Sequence, residues 1–324
     1  MSTLLTTFVA AVAGLGLMAP TVPPTSVPDG RDTTTVDLTR PGTLTRGDDV
    51  RTPHLEGNVV VDGDRRIEVR NVMSLLGRTG DDYVVSTRSR RGKYRVKRVS
   101  VTSEQWVLLE GKDALGVDLS SDGQHLLRND NRRRATISVY DASDGSPVAS
   151  GRFRGYGYVL DADGGTAVVS SWAGEGRAVS WDFVEGGRTL VAKKDAYLAD
   201  ISTDRLATFT ADPYLDGCTE VSTLSAPDDL LWESCRQKVA TFSPDGQRMV
   251  TMHILTDGVG PGEVDLRNVD GSTLVTYTSR WFGGIDWEDD DTLLLDANSR
   301  RNGATVRCDL DVCELASDVA PSNP

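Results

Sequence analysis

Four cysteines are the residues of this chain best suited to covalent chemistry. Cys218 and Cys235 flank a predicted hairpin centred on Ala226-Pro227, and Cys308 and Cys313 bound the short stretch CDLDVC. Each pair is symmetric about its own turn, so its sulfurs face each other across adjacent strands as in a disulfide. A zinc site would instead ask for Cys-x-x-Cys spacing or neighbouring histidines. The three histidines, His54, His125 and His253, are too scattered to supply them. Two disulfides are expected, and they fit an oxidising compartment. No metal or cofactor is expected.

Arginines offer a second chemistry, because a guanidinium forks onto phosphate or carboxylate. They cluster at Arg90-Arg91, Arg132-Arg133-Arg134 and Arg300-Arg301, with Arg152 and Arg154 close to one another. Catalytic signatures are missing: there is no Gly-x-Ser-x-Gly, no His-Glu-x-x-His and no phosphate-cradling glycine loop. A carboxylate pair acting on a glycoside is conceivable, but nothing singles out one pair among 48 acidic residues. Calcium fits poorly at Asp161-x-Asp163-Gly164, where Val159 and Ser170 occupy ligand positions, leaving only a weak surface site at Glu288 to Asp291. The basic run Arg88 to Arg98 alternates like a strand with one solvated side. With a net charge of −13, nucleic acid is not an expected partner.

The elements that hold these groups are written as a repeat. Ser121-Asp122-Gly123, Ala162-Asp163-Gly164, Thr203-Asp204-Arg205 and Pro244-Asp245-Gly246 follow one another at intervals of 41 residues. A repeat of about 40–45 residues holding several short strands is the signature of a β-propeller. Residues 114–151 spell one blade: ALGVDLSSD as inner strand, GQHLLRND as second, RRATISVYDASD as third, and GSPVASG as outer strand. Asp144-Gly145, Glu185-Gly186 and Asp270-Gly271 form tight third-to-fourth turns, where glycine accepts a positive φ. Extending the beat to Asp81-Asp82, Pro41-Gly42 and Asp289 to Asp291 gives an all-β fold of seven blades, each of four antiparallel strands. A poor strand at TLTRGDDV in the first blade leaves six blades plus a partial one as the alternative.

This pattern resembles degenerate WD40-like and TolB-like propellers over most of residues 30–317. Val139-Tyr140-Asp141 and Ser180-Trp181-Asp182 stand where a WD repeat has its closing Trp-Asp, although the family's Gly-His dipeptide is absent. The resemblance implies a scaffold without fixing an activity.

On a propeller frame, first-to-second and third-to-fourth turns share one face. That face collects Asp122, Asp163, Asp204, Asp245 and Asp289 to Asp291, with Asp144, Glu185, Asp228 and Asp270. The opposite face collects the second-to-third turns, bearing Arg90, Arg91, Arg132, Arg133, Arg134, Arg300 and Arg301. Its blade links add Arg152, Arg154, Lys193, Lys194, Arg236, Lys238 and Arg280, interleaved with Phe153, Tyr156, Tyr197, Trp281 and Phe282. Turn chemistry alone accounts for much of this polarity. The sharper expectation is a non-catalytic interaction module that docks an anionic envelope component or acidic protein on the Arg-rich face. The alternative is a propeller enzyme, or a small-ligand or carbohydrate-binding protein with its site at the mouth of the central channel. A monomer is expected.

Residues 1–20 read as a signal peptide or N-terminal membrane anchor. Leu4 to Met18 is apolar, shorter than the about 20 residues of a membrane span, and no cysteine follows for lipidation. Residues 21–32 form a Pro/Thr-rich linker, 33–317 the propeller, and 318–324 a tail. Both readings of the leader place the rest outside the cytoplasm, either secreted or anchored.

Overall fold

The computed structural model describes residues 33–131 and 134–322, so the expected leader and linker lie outside the described residues. Seven antiparallel sheets follow one another along the chain as the blades of a β-propeller. Blades 2 to 5 span residues 72–110, 117–152, 156–192 and 195–234, each with strands A to D ordered from the inside outward. Blades 6 (237–278) and 7 (281–315) repeat this plan and each gains an extra edge strand. Blade 1 is the exception, with three strands at His54–Glu56, Val59–Asp62 and Arg65–Glu68.

The segment expected to open blade 1 is used elsewhere. Thr34–Asp37 lies parallel to Thr273–Thr278 on the outer edge of blade 6. A 3-10 turn follows at Pro41–Thr43, and Arg46 then bridges Leu315 on the outer edge of blade 7. Gly47 N and Val50 N donate to Leu315 O and Ala316 O at 2.9 and 3.2 Å. Pro41 has no N–H to give, and Gly47-Asp48-Asp49 breaks the apolar alternation, so this stretch cannot bury a sheet face. It forms a belt along two outer edges instead. Ala320–Pro321, in the expected tail, pairs with Asn302 and Gly303.

The 41-residue beat is visible as hydrogen bonds between neighbouring turns. Ser121 N donates to Ala162 O at 2.8 Å, Gly164 N to Asp122 Oδ2 at 3.1 Å, and Arg205 Nε to Gly246 O at 2.9 Å. Gly145 shows why a glycine recurs: its φ is +77°, and a Cβ there would strike the Leu108 carbonyl of the preceding blade. Between blades the sheets bury apolar residues, as where Leu127, Ile137 and Val139 meet Val169, Trp181 and Phe183. Trp181, at the expected Trp-Asp position, is a core residue in edge-to-face contact with Phe153 and Phe183.

Both disulfides form as expected. Cys308 and Cys313 are direct cross-strand partners, and Cys218–Cys235 closes the hairpin of Thr219–Thr223 and Leu230–Ser234 at its open end.

The belt meets blade 7 at a buried charge cluster. Arg307 donates to Glu288 Oε2 and Oε1 at 2.6 and 2.7 Å, and to the carbonyls of Asp48 and Asp49 at 3.0 and 2.9 Å. Arg51 adds its N–H and Nε to the same carboxylate at 2.7 and 2.9 Å. The Glu288 side chain is 1% exposed. Burial pushes its pKa up, but the hydrogen bonds and charges of Arg307 and Arg51 outweigh this and hold it at about 2. The weak calcium site considered at Glu288 to Asp291 is thereby corrected: both Glu288 oxygens are occupied by arginine, and Asp289 Oδ1 accepts from Asp291 N and Thr292 N.

Candidate functional site: the face of second-to-third turns

The strand order puts second-to-third turns and blade links on one face. Arg90 and Arg91 lie in the turn after Asp82–Arg88, Arg134 in the turn before Thr136–Asp141, and Arg300 and Arg301 in the turn after Thr292–Asn298. Arg152 ends the outer strand of blade 3 and Arg154 lies in the link that follows. All seven are exposed, and none forms an ion pair with another described residue. Arg132 and Arg133 lie outside the described residues.

Several arginines toward the opposite face are engaged in ion pairs, although Arg65 there is exposed and has none among the described residues. Arg78 pairs with Asp62, Arg98 with Asp82 and Arg248 with Asp291. Several carboxylates of that face are held by their own turns, as where Asp245 Oδ1 accepts from Ser243 Oγ at 2.6 Å and Gln247 N at 3.0 Å. Part of the basic run Arg88 to Arg98 is absorbed within its own blade: Arg95 and Lys93 pair with Glu110, and Arg88 lies over the Tyr94 ring, whereas Arg90 and Arg91 stay exposed.

Three clefts open on the turn-and-link face, each lined by two arginines. Between blades 1 and 2, Arg70 and Arg90 line about 440 Å³ together with Asn58 and Asn71. At blade 4, Arg154 and Arg177 line about 320 Å³. At blades 5 and 6, Arg236 and Arg267 line about 690 Å³. Of these six, only Arg177 and Arg267 have a carboxylate partner among the described residues, Glu175 at 3.7 Å and Asp265 at 2.7 Å. Sequence reasoning missed Arg70, Arg177 and Arg267, because two sit within or beside strands where an arginine reads as ordinary solvated surface.

Most of the aromatics expected on this face require correction. Trp281 is 9% exposed and Phe282 and Phe153 are buried, so none of the three offers a free ring. They begin inner strands or blade links, where a large side chain fills the gap between neighbouring sheets. Tyr197 stacks on Phe209 at 4.2 Å, and its hydroxyl accepts from Val239 N at 3.0 Å. Burial pushes that phenol's pKa up to about 12. Tyr156 alone remains, 67% exposed. Its cross-strand partner is Trp172, 52% exposed, and the two form the last rung of blade 4 on this face. Tyr158 follows two residues on, so the three share one side of the sheet. Tyr214 and Leu215, exposed on the second-to-third loop of blade 5, add an apolar knob. Trp172 was legible as the end of SSW, but not as exposed.

The inner strands add carboxylates. Burial raises the pKa of Asp118, Asp195 and Asp286, although solvent reaches all three. A concave wall explains both observations, since protein surrounds a group that still faces water. His125 packs edge-on against Phe183 and His253 ends Arg248–His253. No helix among the described residues is long and apolar enough to cross a membrane.

No family model matches the chain, and no curated protein matches it. Solved structures do. The β-propeller domain of the Trilobed protease from Pyrococcus furiosus, described as having an open velcro topology, is 12% identical at a TM-score of 0.61, covering 80% of this chain and 86% of that one. The Pyrococcus horikoshii acylaminoacyl peptidase is also 12% identical at 0.61, covering 87% of this chain and 54% of that one, so this chain spans about half of the peptidase. A eukaryotic initiation factor is 10% identical at 0.50, covering 85% and 88%. At such identities the likeness is one of fold. This chain is a β-propeller.

Proposed function

We propose that this propeller is an exported, non-catalytic interaction module whose turn-and-link face docks a phosphate-bearing polymer of the cell envelope. The observation that carries the reading is the set of three clefts, each walled by paired arginines. Concave sites with forked donors suit groups that project from a chain, such as phosphates, better than they suit a flat membrane. Exposed arginines with no ion pair among the described residues, Arg90, Arg91, Arg134, Arg300 and Arg301, extend the positive field between the clefts. Two disulfides support export to an oxidising compartment, whether the protein is secreted or held by its first residues.

The test is co-sedimentation of the purified protein with wall polymer, envelope fractions and anionic liposomes across a salt series. The control variant carries serine at Arg90, Arg91 and Arg134. Polymer binding that falls steeply with salt and is lost in the variant is the expected result, because exposed charges are screened within about 8 Å at physiological ionic strength. Salt-independent binding, or binding to liposomes alone, would overturn it.

A further inference from the structure

The largest of the three clefts, about 690 Å³, is more than a basic depression. We propose that it is a subsite for a phosphate group carried on a small polyol or sugar. The proposal rests on the reading that this face engages a phosphate-bearing polymer, and adds where one repeat unit sits.

Hydrogen-bond donors dominate one part of the lining. Arg236 is exposed and without an ion pair among the described residues. Its backbone is held on both sides: its N–H donates to Ser234 Oγ at 3.2 Å, and its carbonyl accepts from Ile254 N at 2.9 Å. The residue before it is Cys235, bonded to Cys218, so the guanidinium projects from a fixed base. His253 Nδ1 accepts from Leu255 N at 3.2 Å, which directs the ring proton to Nε2, a donor with no partner among the described residues. Ser234 Oγ receives the N–H groups of Arg236 and Gln237, so its own proton remains to be donated.

The charges behind these donors are already balanced. Arg267 gives Nη2 to Asp265 at 2.7 Å, Nε to Thr251 at 3.1 Å and Nη1 to Gly271 O at 2.8 Å. Asp265 also accepts from Gln237 at 2.6 Å and Thr276 at 2.5 Å, so its charge is spent inside the blade and does not repel an anion. Glu263 is the acidic residue of the lining, and an ionised carboxylate accepts hydroxyls. Donors for an oxyanion and an acceptor for hydroxyls thus share one cleft. Its volume far exceeds a bare phosphate and falls in the range of small-molecule sites.

Titration calorimetry of the full chain with glycerol 3-phosphate, inorganic phosphate and glycerol tests this, using wild type, Arg236→Ser, His253→Gln and, as control, Arg65→Ser at the opposite face. Glycerol 3-phosphate should bind more tightly than phosphate, and glycerol should not bind. Arg236→Ser should weaken binding ~10-fold or more, since hydrogen bonds to charged groups are the strong ones. His253→Gln should weaken it less, and the Arg65→Ser control, which removes the same charge from the opposite face, should stay within about twofold. Absence of glycerol 3-phosphate binding, or binding unchanged in Arg236→Ser, overturns the subsite. If the protein still sediments with polymer in that case, the docking face survives without it. If glycerol 3-phosphate binds and polymer does not, the subsite stands and the docking reading falls.

Discussion

Ser121 of blade 3 donates its hydroxyl to Asp161 Oδ1 of blade 4 at 2.6 Å, and the other oxygen of Asp161 accepts from Ile201 N of blade 5 at 2.7 Å. One carboxylate therefore links three consecutive blades at their turns. The residues it joins lie 40 positions apart on either side, one structural repeat in each direction.

Removing that carboxylate should loosen the ring without touching the core. Asp161→Ala is expected to lower unfolding free energy by about 2 kcal/mol, the range for hydrogen bonds to a charged group. Urea denaturation measures it. Ser121→Ala, which deletes one of the bonds, should cost about 1 kcal/mol. Equal stability of Asp161→Ala and wild type would mean that the turns are held by packing alone.

Glu288 makes the closure sensitive to acid. Its folded pKa of about 2 lies below its ordinary value of 4.5, so its contribution is fully present above pH 4.5 and is lost as pH falls toward 2. The shift corresponds to roughly 3 kcal/mol. Glu288→Gln should destabilise the protein near neutral pH by that order and flatten the acid limb of a stability–pH profile. A profile that keeps its slope in the variant would assign acid lability to other carboxylates.

The two disulfides should differ in worth. By loop-closure reasoning, the bridge spanning 17 residues contributes about 3 kcal/mol and the one spanning 5 about 2 kcal/mol. Paired Cys→Ser variants compared by thermal unfolding check this. The Cys218/Cys235 variant should also lose affinity in the cleft beside Arg236, whereas the Cys308/Cys313 variant should not.

Tyr156 and Trp172 carry more exposed aromatic surface than folding requires. Trp172→Ala and Tyr156→Ala should change stability by less than about 0.5 kcal/mol. If the rung takes part in docking, each should weaken polymer binding ~10-fold, as exposed aromatic anchors commonly do. Unchanged binding in both would confine the contact to the arginines.

Seven blades and both disulfides were legible because each has a short-range signal: Asp-Gly turns on a constant beat, and cysteines symmetric about a hairpin. The placement of arginines in turns followed from the same frame. What escaped depends on the packing between sheets. Phe153 and Trp281 sit where a link could be open or filled, and only the neighbouring blade decides that they are core. Trp172 reads like any strand end until Tyr156 is placed across from it. The belt was misread because its partners, Val275 to Thr278 and Leu315, lie more than 200 residues away, beyond any local pattern.

That belt imposes an order of events on folding. Residues 34–50 leave the ribosome before every blade, yet the edges they cover are synthesised more than 200 residues later. Until then blade 1 has no neighbour on one side, and ring closure must wait across a loop whose entropic cost is among the largest the chain can present. Blades 2 to 5 depend on neighbours close in sequence and can assemble as they emerge. A ribosome stalled before blade 6 should therefore display a stack of blades with a loose leading end, and proteolysis of such stalled chains should trim residues 34–50 first.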